Sequence, residues 1–413
     1  MHAFVARQPI LDRRQEVFGH ELLFRSSFEN RSQILDSTSA SSKVISDSAF
    51  LMDLETLTGG TKAFINATAE IITGGYATLL PKRVTVLEIL ESVAPTPETI
   101  AACEALKRDG YELALDDFVW SPQWEPLVRL ADYIKLDFLA TTSDQRTALV
   151  RRLAPTGVRF IAEKVETRRV FEQAKGEGFE FFQGYFFRKP EIVTQRDIPA
   201  SKLHHVQLLA EVNRPAMDIA KVEAIIKRDV AFSYKLLRCM NSAARGLRQP
   251  IKSVRQALVY LGENEVRKWA SLVAMAGMTS DGPRILLLDS VTLARFCELL
   301  AKETGLARRD QELYLLGMLS MVDVILGRPL PEILGALPVA NDVRDALLGN
   351  PNPLRDVYEY GLAYERGDWN TVAEQAGVLG LDEQNIPDLY RQSIEWCGER
   401  MKVTNHGAVH ASA

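Results

Sequence analysis

Eight short apolar runs recur between residue 1 and about residue 190, and most close on a polar side chain. They read AFVAR, EVFGHELLF, KAFIN, VTVLEILE, ELALDD, YIKLD, VRFIAE and FEFFQG, with helical stretches between them. Runs rich in Val, Ile, Phe and Leu that alternate with helices predict a largely parallel sheet with crossover connections. Eight of them predict a closed (βα)8-like barrel. Their polar residues are Glu21 inside the second run, then Asn66, Glu91, Asp116 with Asp117, Lys135 with Asp137, Glu163 and Gln183; from Asn66 onward they lie 19 to 28 residues apart. Each interval is about one short βα unit, so the polar groups should gather at one mouth of the barrel, where strands fix positions and loops vary.

The grammar changes at KPEIVTQRDIPASK, residues 189–202. Beyond it DIAKVEAIIKRD carries apolar residues at Ile219, Val222, Ile225 and Ile226 behind Asp218, a helix-capping residue. SVRQALVYLG does the same behind Ser253 and stops at Gly262. The expected fold class is therefore α/β plus all-α: a barrel domain over 1–195, a helical domain over 196–402, and a small polar tail, 403–413, expected to be disordered.

A chain of 413 residues is long enough for two buried cores. Its net charge of −5, with acids and bases interspersed, argues against nucleic acid as a partner. Cys103, Cys239, Cys297 and Cys397 lie far apart and form no C-x-x-C pair, which predicts free thiols and a reducing, cytoplasmic setting. No apolar segment reaches the roughly 20 residues needed to span a bilayer, so no membrane is expected.

Hard divalent cations such as Mg²⁺ or Mn²⁺ take carboxylate and amide oxygens and leave room for water and phosphate. Glu21, Asn66, Glu91, Asp116 and Asp117 form such a set, and two metals about 3.5–4 Å apart could activate a water against a phosphodiester. Lys135 could orient that water, and Glu163 could accept its proton. An acid at one strand end is more often a solvated helix cap than a ligand. Such a run of acids with an amide and a lysine, on consecutive strand ends, is not explained by capping.

The same stretches resemble the EAL phosphodiesterase domain. RQPILD followed by GHELLFR is similar to its opening, with the signature standing as Glu21-Leu22-Leu23-Phe24-Arg25 and Leu in place of Ala. FINATAE, LEILES, LDDF, YIKLD, AEKVET and QGYFFRKP resemble its later motifs in order, over about residues 1–195. The resemblance implies cyclic di-GMP as substrate, hydrolysed to the linear dinucleotide with Mg²⁺ or Mn²⁺. It implies metal ligation by Glu21, Asn66, Glu91 and Asp116 with Asp117 at a second metal; Glu91 is taken over Glu88 because its spacing to Asp116 fits the family better. Lys135 and Glu163 would activate water, Glu166 would anchor the loop after D-D-F, and Gln8, Arg25, Asp137 and Gln183 would face the nucleotide.

That loop departs from the family. Where the family has G-T-G-Y-S-S, this chain has VWSPQWEP, and Pro122 and Pro126 fix φ and remove donors. Lys164 replaces the glycine of A-E-G-V-E. Trp120 and Trp124 on the rebuilt loop suit packing or protein contact, and the change argues against the family's route to homodimers. Two readings follow. The rebuilt loop favours a degenerate domain that binds nucleotide or protein without turnover, the preferred reading; the complete ligand set favours an active phosphodiesterase.

The helical half resembles the HDOD domain, a relative of the HD phosphohydrolases. The resemblance rests on Asn241-Ser242-Ala243-Ala244 followed by Ser253, Ala257, Leu258, Leu261 and Gly262. Ser320 and Met321 stand roughly where a metal-binding His-Asp pair would fall, and His204 and His205 suit one face of a leading helix. This half is expected to be a non-catalytic module that engages an unidentified protein partner.

Overall fold

The structure, a computed structural model, describes residues 4–25, 54–188, 200–242, 249–279, 283–382 and 384–405. The chain divides into two compact units, Met1–Lys189 with Leu362–Arg391, and Pro190–Gly361 with Gln392–Ala413.

In the first unit all eight apolar runs become strands: β1 (Phe4–Asp12), β2 (Val17–Arg25), β3 (Lys62–Ala67), β4 (Thr85–Ile89), β5 (Glu112–Leu115), β6 (Tyr133–Asp137), β7 (Arg159–Glu163) and β8 (Phe181–Gln183). They close in sequence order into a barrel. β1 runs antiparallel to both its neighbours, with Gln8 opposite Glu21 on β2 and Ile10 opposite Gln183 on β8, while β2 to β8 are parallel. The sheet is thus parallel except for one reversed strand, which a tight β1–β2 connection allows and a crossover would not.

The crossover helices carry the end signals their sequences predict. Pro97–Asp109 starts on Thr96, whose hydroxyl accepts from Thr99 N at 3.2 Å, and ends on Gly110 at φ +95°. Ser143–Leu153 opens with a capping box between Thr142 and Gln145. The barrel interior is filled by a layer made of Ile10, Phe64, Val86, Ala114, Tyr133, Ile161 and Phe181, with Phe18 packed against it and stacked on Phe181 at 4.0 Å. That layer makes the barrel floor a packed core, not a channel.

The second unit is all-helical over its described residues. Asp218 caps Ile219–Arg228 by accepting from Ala220 N at 2.9 Å, and Ser253 caps Val254–Met278 through Gln256 N at 3.2 Å. Gly262, at φ +74°, breaks the latter into two helices, so the stop expected there is a kink. Asn241 closes the loop ahead of it from both sides, donating to Ile251 O at 2.9 Å and accepting from Ile251 N at 2.7 Å. Ala243 and Ala244 lie outside the described residues. At the position expected of a His-Asp pair, Ser320 Oγ lies 3.5 Å from Ser290 Oγ. His205 packs edge-on against Phe232, with ring centroids 5.0 Å apart.

Two boundaries differ from the sequence reading. Residues 362–391, assigned there to the helical domain, belong with the barrel: Tyr364 and Trp369 pack edge-on against Phe4 of β1 at 6.5 and 6.3 Å, and Glu365 pairs with Arg188 at 3.7 Å. The helix Ile386–Asn405 includes residues 403–405, which the sequence reading gave to the tail; residues 406–413 lie outside the described set. No described helix is long and apolar enough to cross a membrane. None of the four cysteines forms a disulfide, and all four are buried.

Candidate active site at the barrel mouth

Successive inward side chains on a strand are two residues apart, so each strand that supplies the apolar floor also supplies one group to the layer above it. Two residues beyond Phe64, Val86, Ala114, Tyr133, Ile161 and Phe181 stand Asn66, Glu88, Asp116, Lys135, Glu163 and Gln183. On the reversed β1 the step from Ile10 leads to Gln8, whose partner across the ribbon is Glu21. The floor sets the register, and the register assembles the site.

At its centre is Lys135, 1% exposed, with Nζ at 3.0 Å from Glu21, 2.9 Å from Glu88, 3.1 Å from Asp116 and 2.9 Å from Glu163. Gln183 Nε2 donates to Glu21 at 2.7 Å and to Gln8 at 2.9 Å. One ammonium carries three protons and one charge, so it can neither hydrogen-bond nor neutralise four carboxylates. The titration behaviour follows. Burial opposes charge on Lys135, but the carboxylates of Glu21, Glu88, Glu163 and Asp116 outweigh it and hold its pKa far above the ordinary value.

Burial likewise works against the Glu21 anion, yet Lys135 and hydrogen bonds from Gln183 and Asn66 keep its pKa below the usual range. Glu88 and Asp116 go the other way: burial, then the negative charge of Glu21, pushes both up against the pull of Lys135. Glu163 is raised to about 7, chiefly by burial, with Asp116 and Glu21 adding to it. The cluster holds more carboxyl groups than its lysine can balance in their charged form, so the raised ones give up charge by holding protons.

That excess decides whether a metal fits. Asn66 Oδ1 and Glu88 Oε2 are buried without a hydrogen-bond partner among the described residues, and the donors are carboxylate and amide oxygens, the set that hard divalent cations prefer. Among the described residues no three acidic, His or Cys side chains close to metal-binding range around an open centre; the carboxylates close on Lys135 instead. The residues fit a divalent cation in chemistry and charge, with Lys135 now holding the carboxylates together.

The other expected residues fall in different places. Glu91 is exposed beyond the end of β4, so the acid that β4 delivers is Glu88, which pairs in register with Asn66 and is fully buried. Spacing pointed to Glu91; strand parity selects Glu88. Asp117 is exposed at φ +41°, close enough for its charge to raise Asp116. Glu166 is exposed and is not among the partners of Lys135.

Asp137 stands two residues above Lys135 and accepts from Leu139 N at 2.6 Å and Ala140 N at 3.1 Å while pairing with Lys164. Burial pushes its carboxyl up, but Lys164 and the two amides outweigh that and bring it below the usual range. Lys164 keeps φ +53°, the left-handed backbone its glycine counterpart would favour. Arg25 ends β2, and its side chain lies outside the described residues.

Trp120 and Trp124 are half-buried, each edge-on to the buried Phe118 at 6.4 and 5.9 Å, and the Arg152 guanidinium covers Trp120 at 3.9 Å. Their packing is within the barrel unit. Sequence reading missed this use of Arg152 because nothing local links it to the loop.

The EAL family model matches residues 22–190 and the HDOD domain model residues 198–338. Two relatives match nearly end to end. The uncharacterized protein YuxH of Bacillus subtilis (strain 168) is 35% identical over 409 residues, 97% of this chain and 99% of that protein. The cyclic di-GMP phosphodiesterase CdgJ of Vibrio cholerae is 35% identical over 396 residues, 95% and 92% of the two chains. Among solved structures, an EAL domain protein from Listeria monocytogenes EGD-e is 21% identical, covers 45% of this chain and 87% of that one, and gives a TM-score of 0.38. The chain belongs to the family of bacterial signalling proteins that join an EAL domain to an HDOD domain. EAL domains are metal-dependent phosphodiesterases.

Proposed function

We propose that this protein is a metal-dependent phosphodiesterase that opens cyclic di-GMP to the linear dinucleotide at the mouth of its barrel. The observation that carries this is the overfilled carboxylate cluster on Lys135, with the Asn66 oxygen left unpaired beside it. Structure alone gives little reason to bury such an imbalance. Mg²⁺ or Mn²⁺ held by Glu21, Asn66, Glu88 and Asp116, with Asp117 alongside, would supply positive charge for the phosphate and make the attacking water more acidic.

The chain's own residues do the rest. Glu163, poised near neutrality, takes the proton of the attacking water, because a base works best when its pKa lies close to the working pH. Attack forms the new P–O bond, the bond to the departing ribose oxygen breaks, and that oxygen takes a proton from solvent while Glu163 later returns its own to solvent. Lys135 holds Glu21, Asp116 and Glu163 in place and offsets the charge of the phosphate. Gln183 fixes Glu21 and Gln8 on the nucleotide side. The Vibrio relative, a cyclic di-GMP phosphodiesterase matched over nearly its whole length, supports this reading.

A second reading, in which the nucleotide is bound and not turned over, is favoured by the two prolines of VWSPQWEP and by the Lys164–Asp137 pair between the adjacent ends of β6 and β7 at the rim. The HDOD half is proposed as a non-catalytic module for a protein partner, in a cytoplasmic protein. The test is incubation of purified protein with cyclic di-GMP and Mg²⁺ or Mn²⁺, products separated by chromatography, beside Glu21→Ala. Linear dinucleotide from the parent and none from the variant is the expected result. No product after long incubation, with nucleotide still bound, would leave the second reading standing.

A further inference from the structure

Residues 362–391 lie outside both family-model matches yet form part of the barrel unit. Their position is set by strand parity. On the β1–β2 ribbon the pair Gln8–Glu21 faces the site, so the next pairs on that face are Ala6–Leu23 and then Phe4–Arg25. Gly367 sits against Ala6 and Leu23: a Cβ placed on it would come within 2.8 Å of Leu23 Cδ1 and 3.6 Å of Ala6 Cβ. Its φ of +67° and this close approach both call for glycine. Tyr364 and Trp369 flank it against Phe4. The turn at 366–368 therefore lies on the site side of the ribbon, about 7 Å along the strands from Gln8 and Glu21.

The neighbouring residue, Arg366, is exposed and reaches toward β8: its guanidinium lies 6.0 Å from the ring of Tyr185, two residues past Gln183. Cations nearby are already engaged, Arg188 by Glu365 and Lys164 by Asp137. Among the described residues Arg366 has no carboxylate within ion-pair range. An unpaired guanidinium at the rim of a strongly acidic site is placed to hold a phosphate that the carboxylates themselves repel.

We propose that Arg366 is a substrate-binding residue that grips a phosphate of the dinucleotide, so that the C-terminal segment forms one wall of the EAL site. This rests on the reading that the site takes cyclic di-GMP. The test compares the full-length protein with Arg366→Ala, Arg366→Gln and Arg366→Lys in steady-state turnover and in melting temperature. Loss of a charge-assisted contact that is equally strong in ground and transition states should raise KM about tenfold or more in the Ala and Gln variants, with kcat within about twofold and melting unchanged.

Arg366→Lys should recover part of the loss, keeping the charge without the fork. A wild-type KM in Arg366→Gln would overturn the proposal, since glutamine keeps much of the packing and has neither the charge nor the guanidinium fork. If the parent shows no turnover, titration calorimetry with cyclic di-GMP and Ca²⁺ replaces KM: weaker binding by Arg366→Gln supports the wall while the catalytic reading falls. No binding by the parent overturns both.

Discussion

Both units bury charged groups, and they do so on opposite terms. In the helical unit Glu298 is held by Lys268 and, at 2.7 Å, by Arg295, while Glu265 has Lys268 at 3.7 Å and Arg400 at 3.5 Å. Charges there are matched, and the adjoining cavity, about 30 Å³ and lined by Lys268, Trp269 and Trp396 among others, has room for little more than water. In the barrel one lysine faces four carboxylates. Balanced burial is what stability alone produces, and unbalanced burial marks a place built for something the chain does not itself supply.

The sharpest way to break that contrast is to remove one carboxylate from the cluster and one from just outside it. Glu88→Gln should lower turnover on the order of a thousandfold, as expected for deleting a group that organises charge in the transition state. Glu91→Gln should leave it within about threefold, the scatter expected of an exposed surface change. Steady-state assays on both settle which acid β4 contributes, and the reverse order would return the site to the spacing argument.

The next effect is on stability, and its sign follows from the raised carboxylates. Glu163 titrates near 7 in the fold against 4.5 when exposed. The folded protein therefore holds protons that the unfolded chain releases, and the stabilisation from this group is complete below pH 4.5 and lost as pH rises through about 7. Metal-free protein should melt several degrees lower at pH 8 than at pH 6 in calorimetry, at about 2–4 °C per kcal/mol for units of this size. Glu163→Gln should flatten that slope. Among its described residues the helical unit has no such cluster, so an unchanged slope in Glu163→Gln would mean that the imbalance is not where the contrast puts it.

A smaller effect tests the balanced side. Asn241→Ala removes both bonds that hold Ile251 and should cost about 1–2 kcal/mol, read as a lower melting temperature with turnover preserved. If turnover fell with it, the helical unit would be contributing to the chemistry and its structural role would need revision.

Much of this was legible in advance, and the exceptions share a cause. All eight strands were readable because each is a short apolar run bounded by turns and helices. Glu88 was not, because β4 is buried at every position and shows no alternation from which to read its inward face. A usable signal was present: Val86, Glu88 and the paired Asn66 share a parity that Glu91 lacks. The return of residues 362–391 to the barrel had no local signal at all, since a helix that packs on a distant strand looks like any other amphipathic helix. Lys164 was noticed as a departure from the family, but only the backbone reveals that it keeps the glycine conformation.

That residue carries the smallest and most discriminating prediction. A lysine at φ +53° costs of order 1 kcal/mol relative to glycine, and its partly exposed pair with Asp137 returns about as much at most. Lys164→Gly should therefore shift stability by less than about 1 kcal/mol in either direction, within about 4 °C in melting. Any larger response must come from the site. If the Lys164–Asp137 pair only ties down the rim, turnover by Lys164→Gly will match the parent. If the pair restrains the mouth, freeing Asp137 should raise kcat with KM nearly unchanged, and a barrel inactive as it stands would gain measurable activity. Either outcome separates a retired site from a restrained one, a distinction the ligand set cannot make because it is the same in both.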